Sequence, residues 1–106
     1  MGNNEIEHQK LARVAREVGA VLRRQARKRW ETVRMASRDE GNRHVWRFRE
    51  GGSARYLHVS HEALADGDSA ALLRQLRAGR IFSRLSGAES SLLLSRGGLL
   101  EPYPAH

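Results

Sequence analysis

The stretch HVWRFREGGSARYLHVS, residues 44–60, decides the fold. Apolar and polar residues alternate on both sides of Gly51-Gly52, which is the pattern of two strands joined by a tight turn. Pairing Glu50 with Ser53 puts Trp46 opposite Leu57, His44 opposite Val59 and Phe48 opposite Arg55. Neighbouring side chains in a strand point to opposite sides, so that face is mainly apolar and belongs to the core. The other face carries Val45, Arg47 and Arg49 opposite His58, Tyr56 and Ala54, a basic and aromatic surface.

Upstream of the hairpin, residues 5–29 read as one long helix. Leu11, Val14, Ala15, Val18, Val21, Leu22 and Ala26 recur at steps of three and four and form one stripe. Asn4 is the expected cap, with Glu5 and Glu7 in the first turn. Gly19 weakens the middle of this helix, and its missing side chain is expected to let another backbone come close. Trp30 to Ser37, WETVRMAS, gains aromatic and β-branched residues and reads as a strand, with continuation of the helix to about residue 36 as the competitor. RDEGN, residues 38–42, is a polar turn.

Downstream, Ser60 caps a second helical region over about residues 61–85, interrupted at Asp66-Gly67-Asp68 and either ended by Gly79 or continued to about Leu85. Leu72, Leu73, Leu76 and Ile81 supply its buried stripe. A strand-like run at Leu92–Leu94 and a second Gly-Gly pair predict a short C-terminal strand or hairpin. Pro102 and Pro104 place the end of the ordered chain there, with residues 102–106 as a disordered tail. The expectation is a single α+β domain over residues 1–106: a long N-terminal helix, an antiparallel sheet built on the hairpin at about 44–60, and the second helix.

The chain of 106 residues carries a formal charge of +7, and of its nineteen basic residues only Lys10 and Lys28 are lysines. Clustered cations gain affinity for polyanions by releasing counterions, which points to nucleic acid as a partner. An arginine excess is also what a GC-rich bacterial genome produces. Without cysteine there is no disulfide framework and no thiolate metal site, and a cytoplasmic location is the simplest reading. No apolar run approaches the ~18 residues of a membrane span, so no membrane partner is expected. Gly2 nominally opens a myristoylation pattern, but Glu5 and Glu7 argue against it, and a bacterial or expression-derived start fits better.

The charge is uneven. Eight basic residues against three acids in residues 5–29 supply +5 of the +7, concentrated at Arg23, Arg24, Arg27 and Lys28. That basic helix end and the polar hairpin face (Arg47, Arg49, Tyr56, His58) form the candidate nucleic-acid surface, arginines on phosphates and Tyr56 on an unpaired base. The ordinary alternative is that arginines merely cover a solvent face and complement the helix dipole. His58 and His61 have an H-x-x-H spacing, but His58 lies inside a strand and His61 at the start of a helix, so no metal site is expected. No nucleophile elbow or phosphate loop is present, and no cofactor is expected. Acid–base chemistry by a histidine beside arginines needs no linear motif, which leaves an enzymatic role open and the balance against it.

From Trp30, the order WETVR, GNRHVWRF, RYLHVSH and EAL...GDSAALLRQLRAG resembles the HicA-type toxins of toxin–antitoxin pairs. That resemblance spans about residues 21–79 and implies a double-stranded-RNA-binding-domain-like α-β-β-β-α fold and mRNA cleavage. Gly41 matches the family's glycine, whereas Asn42 and Arg43 stand where a serine and the catalytic histidine would be, and His44 meets the second histidine. Ser60 replaces the proline at the strand end. The resemblance therefore implies no catalytic residue here and adds Arg43 and His44 as candidates for a phosphate-facing surface. A homodimer through the first helix, covering its apolar stripe, is the alternative non-enzymatic role.

Overall fold

The computed structural model describes residues 2–66, 68–87 and 89–103, with side chains from residue 8 onward. Helix α1 spans Gly2–Arg29. Its stripe of Val14, Ala15, Val18, Leu22 and Ala26 is buried, and fully burying a valine or leucine stabilises by about 1.5–3 kcal/mol. Asn4 is not a cap, because the helix already runs through it from Gly2. Gly19 does admit a close neighbour, but it is the Trp46 indole rather than a backbone: a Cβ at Gly19 would lie 2.9 Å from Trp46 Nε1.

The segment after α1 is neither the strand from Trp30 nor a longer helix. Trp30 is buried at the end of α1, its amide donating to the Ala26 carbonyl and its own carbonyl accepting from the Val33 amide. Its ring packs with Phe48 and Phe82, at centroid distances of 6.2 and 5.7 Å. That aromatic packing outweighs the strand propensity of Thr32 and Val33, and strand β1 begins only at Arg34, running to Asp39.

Strands β2 (Arg43–Glu50) and β3 (Ser53–Ser60) form the hairpin in the expected register, Glu50 with Ser53 and Trp46 with Leu57. Gly51 at φ 58° supplies the left-handed residue that the turn requires. β1 pairs antiparallel with β2, and the Gly41 amide donates to Asp39 Oδ1 across the connecting turn.

Ser60 caps the next helix as expected, its Oγ accepting from the Ala63 amide. The helical region expected over about 61–85, with its interruption after Ala65, is three helices: α2 (His61–Ala65), α3 (Ser69–Ala78) and α4 (Ile81–Ser86). Asp68 caps α3 through the Ala71 amide. The second break falls at Gly79 and at Arg80, which takes a left-handed φ of 55°. A side chain at Gly79 would lie 2.9 Å from Leu100 Cδ2, so this break lets the C-terminal hairpin close onto the helices.

That hairpin is β4 (Ser91–Leu94) and β5 (Leu100–Pro102), antiparallel to each other. β4 pairs parallel with β3, so the sheet is mixed, in the order β1-β2-β3-β4-β5. Pro102 is part of β5 and Tyr103 bonds through its amide to the Ser91 carbonyl, so order extends past the expected start of the tail; residues 104–106 lie outside the described residues. Alternate residues of the sheet (Trp46, Phe48, Leu57, Val59, Leu92, Leu94, Leu100) join one core cluster with the buried side chains of all four helices. The helices therefore share one side of the sheet. The opposite side is bare of helices among the described residues.

Candidate nucleic-acid interface

Strand alternation dictates which side chains reach the bare face. β1 contributes Arg34, Ala36 and Arg38; β2 contributes Arg43, Val45, Arg47 and Arg49; β3 contributes Ala54, Tyr56 and His58. The last two strands add Ser91, Leu93 and Glu101. Glu40, in the β1–β2 turn, pairs with Arg38 at 2.6 Å and lies 3.5 Å from Arg43. Among the described residues no carboxylate comes within ion-pairing distance of Arg34, Arg47 or Arg49. Arg34 and Arg49 are direct cross-strand partners, two like charges facing each other.

The centre of this face is concave, with a cavity of about 330 Å³ bounded by Arg38, Glu40, Arg43, Arg47, Tyr56 and Tyr103 over a floor that includes Val45, His58 and Ser91. Tyr103 stacks on His58 with centroids 4.3 Å apart and planes at 31°. The Arg43 guanidinium lies over the Tyr103 ring, 5.0 Å from its centroid, in cation–π range. His58 is only 8% exposed and its Nε2 lies 3.2 Å from Ser91 Oγ. It is thus a floor residue under Tyr103, whereas Tyr56 keeps a half-exposed ring at the rim.

A second, smaller concavity of about 220 Å³ brings Arg23 and Arg27 of α1 beside Val33, Arg34 and Met35. Arg34 therefore links the basic helix end to the sheet face. Arg24 and Lys28 are exposed on α1 but line neither concavity.

Arg43 and His44, adjacent in sequence, face opposite sides of the sheet. His44 is half-buried against Trp46, at 4.5 Å between ring centroids. Burial lowers its pKa, the Asp39 charge works the other way, and His61 adds to the lowering. His61 holds Asp39 at 2.6 Å and its amide donates to the Asn42 carbonyl, tying α2 to the β1–β2 turn. Partial burial opposes ionisation of Asp39, but the Gly41 amide, the His61 hydrogen bond and the charges of His61 and His44 outweigh it and lower its pKa. His58 and His61 do not converge. Among the described residues no group of three or more potential ligands could hold a metal ion, and no helix is long and apolar enough to cross a membrane.

Of the residues expected from the sequence, Arg43, Arg47, Arg49, Tyr56 and His58 share the bare face, and Arg23 and Arg27 adjoin it through Arg34. Arg34, Arg38, Ser91 and Tyr103 were not expected there. Arg34 and Arg38 had a signal, the alternation Arg34-Met35-Ala36-Ser37-Arg38, which starting the strand at Trp30 obscured. Ser91 and Tyr103 had none, since they arrive by pairing between β3 and a strand more than thirty residues away. No family model, no curated protein and no solved structure matches the chain.

Proposed function

We propose that this protein binds single-stranded RNA on the bare sheet face, with the basic end of α1 extending the track. The observation that carries the reading is a surface that, among the described residues, bears no helix and leaves Arg34, Arg47 and Arg49 without a carboxylate partner, beside the half-exposed Tyr56. Solvated faces ordinarily intersperse both signs of charge, because like charges set opposite one another destabilise a sheet. Polyphosphate removes that repulsion. Unpaired bases then supply π faces for Tyr56, which a duplex, stacked on both sides of each base, withholds. A cytoplasmic location accompanies this reading.

A homodimer through α1 has less to recommend it, since the apolar stripe that motivated it is buried inside the chain and Leu99, 67% exposed, is the only exposed large apolar side chain among the described residues. An mRNA-cleaving role in the manner of the HicA-type toxins is not proposed, because Arg43 and His44 point to opposite sides of the sheet. Fluorescence anisotropy with a labelled single-stranded RNA tests the proposal. Three to five phosphate contacts predict a log–log salt slope of roughly −2 to −3.5, so affinity should fall roughly 20- to 130-fold between 50 and 200 mM salt. Absence of binding at 50 mM salt, or equal affinity for single strand and duplex, would remove the reading.

A further inference from the structure

The concavity at the centre of the bare face has walls of a different chemistry from the track around it. We infer that it is a subsite for one unpaired nucleotide, a nucleoside monophosphate unit, with the base against Tyr56 and Val45 and the phosphate on Arg47 and Arg43. This rests on the strand-binding reading above and adds to it a defined pocket.

Size is the first argument. At about 330 Å³ the cavity lies at the small end of the ~300–1,000 Å³ typical of ligand pockets, enough for a single nucleotide and too small for a base pair. Charge is the second. Three guanidiniums (Arg38, Arg43, Arg47) line it against one carboxylate, Glu40, whose contacts go to Arg38 and Arg43. Arg47 is left with its full charge toward the opening, and an anion is the natural complement. The Arg43 Nε–H is buried and meets no acceptor among the described residues. A buried donor without an acceptor carries an uncompensated desolvation cost, which a ligand oxygen at this wall would remove.

The walls are also fixed before a ligand arrives. Tyr103 is held by the hydrogen bond from its backbone amide to the Ser91 carbonyl, by the stack on His58 and by the Arg43 guanidinium over its ring. His58 is in turn beside Ser91 Oγ. Four segments distant in sequence thus set one rim, which lowers the ordering cost of binding. Tyr56, at 6.4 Å from His58 and inclined 33° to it, extends the row of rings to the open side. Inorganic phosphate alone would leave the phenol and Val45 unused. An uncharged ring would leave Arg47 unused. A nucleotide uses both.

The test is an NMR titration of the full chain with adenosine 5′-monophosphate, uridine 5′-monophosphate, inorganic phosphate and a single-stranded RNA octamer. The same ligands are added to Tyr56→Leu and to Arg47→Gln, the latter an exposed substitution that leaves the core untouched. The nucleotides and the octamer are expected to shift Val45, Tyr56 and the Arg43 Nε–H together. Phosphate should bind at least tenfold more weakly than either nucleotide, and each variant should weaken nucleotide binding roughly tenfold, the scale of one lost stacking or charged contact. Octamer binding that moves Arg34, Arg47, Arg49 and Tyr56, with the Arg43 Nε–H unmoved and no nucleotide binding at the pocket, overturns the subsite and keeps the strand reading. Nucleotide binding at the pocket without octamer binding keeps the subsite and overturns the strand reading. Phosphate binding as tight as nucleotide binding reduces the pocket to an anion site and overturns the inference, and no binding by any of the four overturns both.

Discussion

Replacing Arg49 by glutamine separates an RNA-binding arginine face from one that merely covers the sheet. Arg49 stands directly opposite Arg34 in the β1–β2 ladder, both side chains are exposed, and neither has a carboxylate partner among the described residues. A like-charge pair in that position costs roughly 0.2–1 kcal/mol. For a domain of this size about 1 kcal/mol moves Tm by ~4–8 °C, so Arg49→Gln should raise Tm by about 1–8 °C at 50 mM salt. The gain should shrink at 1 M salt, where the screening length falls to about 3 Å. RNA binding should change in the other direction: loss of one phosphate contact weakens binding and flattens the log–log salt slope by roughly 0.7. Differential scanning calorimetry and anisotropy on the same preparation measure both. A covering role predicts the stabilisation with no loss of binding. A Tm that falls at low salt would refute the cross-strand repulsion, and an unchanged salt slope would refute phosphate contact at Arg49.

Gly19→Ala should lower the urea midpoint despite a helix-propensity gain of about 1 kcal/mol, because the new Cβ meets the indole of Trp46, itself 1% exposed, and overpacking costs about 1–3 kcal/mol; a raised midpoint would show that Trp46 yields freely. Removing either helix cap, Ser60→Ala or Asp68→Ala, should cost about 1 kcal/mol in urea unfolding, and no loss would mean that the hydroxyl or carboxylate is not holding its amide. Acid should destabilise the fold in two windows. The folded pKa of His44 lies below its ordinary 6.5, so the unfolded chain takes up a proton first and stability falls as pH drops from about 6.5 toward the lowered value. Asp39, also lowered, contributes stability above 3.8 that is lost below it. Thermal melts of His44→Gln should therefore lack the upper window and keep the lower one; an unchanged upper window would assign it to another group.

The hairpin was legible in the sequence because everything that defines it is local: Gly51-Gly52 sets the turn, and a one-residue slip would put Trp46 and Phe48 on the wrong side. The bare face followed in part, since Arg47, Arg49, Tyr56 and His58 are fixed once that register is known. What was not legible depends on distant packing. Trp30 reads as strand by propensity, yet Phe48 and Phe82 hold it as the end of α1. Gly79 marks one of two possible helix ends in the sequence, and what decides for it is Leu100, which arrives from β5. The parallel pairing of β3 with β4 follows from three helices lying between them, and it alone brings Ser91 and Tyr103 over His58. That pairing turned His58 from a presumed contact residue into the floor of a pocket.

The proposal places RNA on the sheet face and the adjoining basic end of α1, and not on α2, α3 or α4. Backbone amide shift mapping with a single-stranded RNA octamer at 50 mM salt tests it most directly. The predicted result is a contiguous footprint over Arg34, Val45, Arg47, Arg49 and Tyr56, reaching Arg23 and Arg27, with Leu72, Leu76 and the rest of α3 unmoved. A footprint centred on α3 or on the N-terminal half of α1, or no footprint at all, would contradict the account.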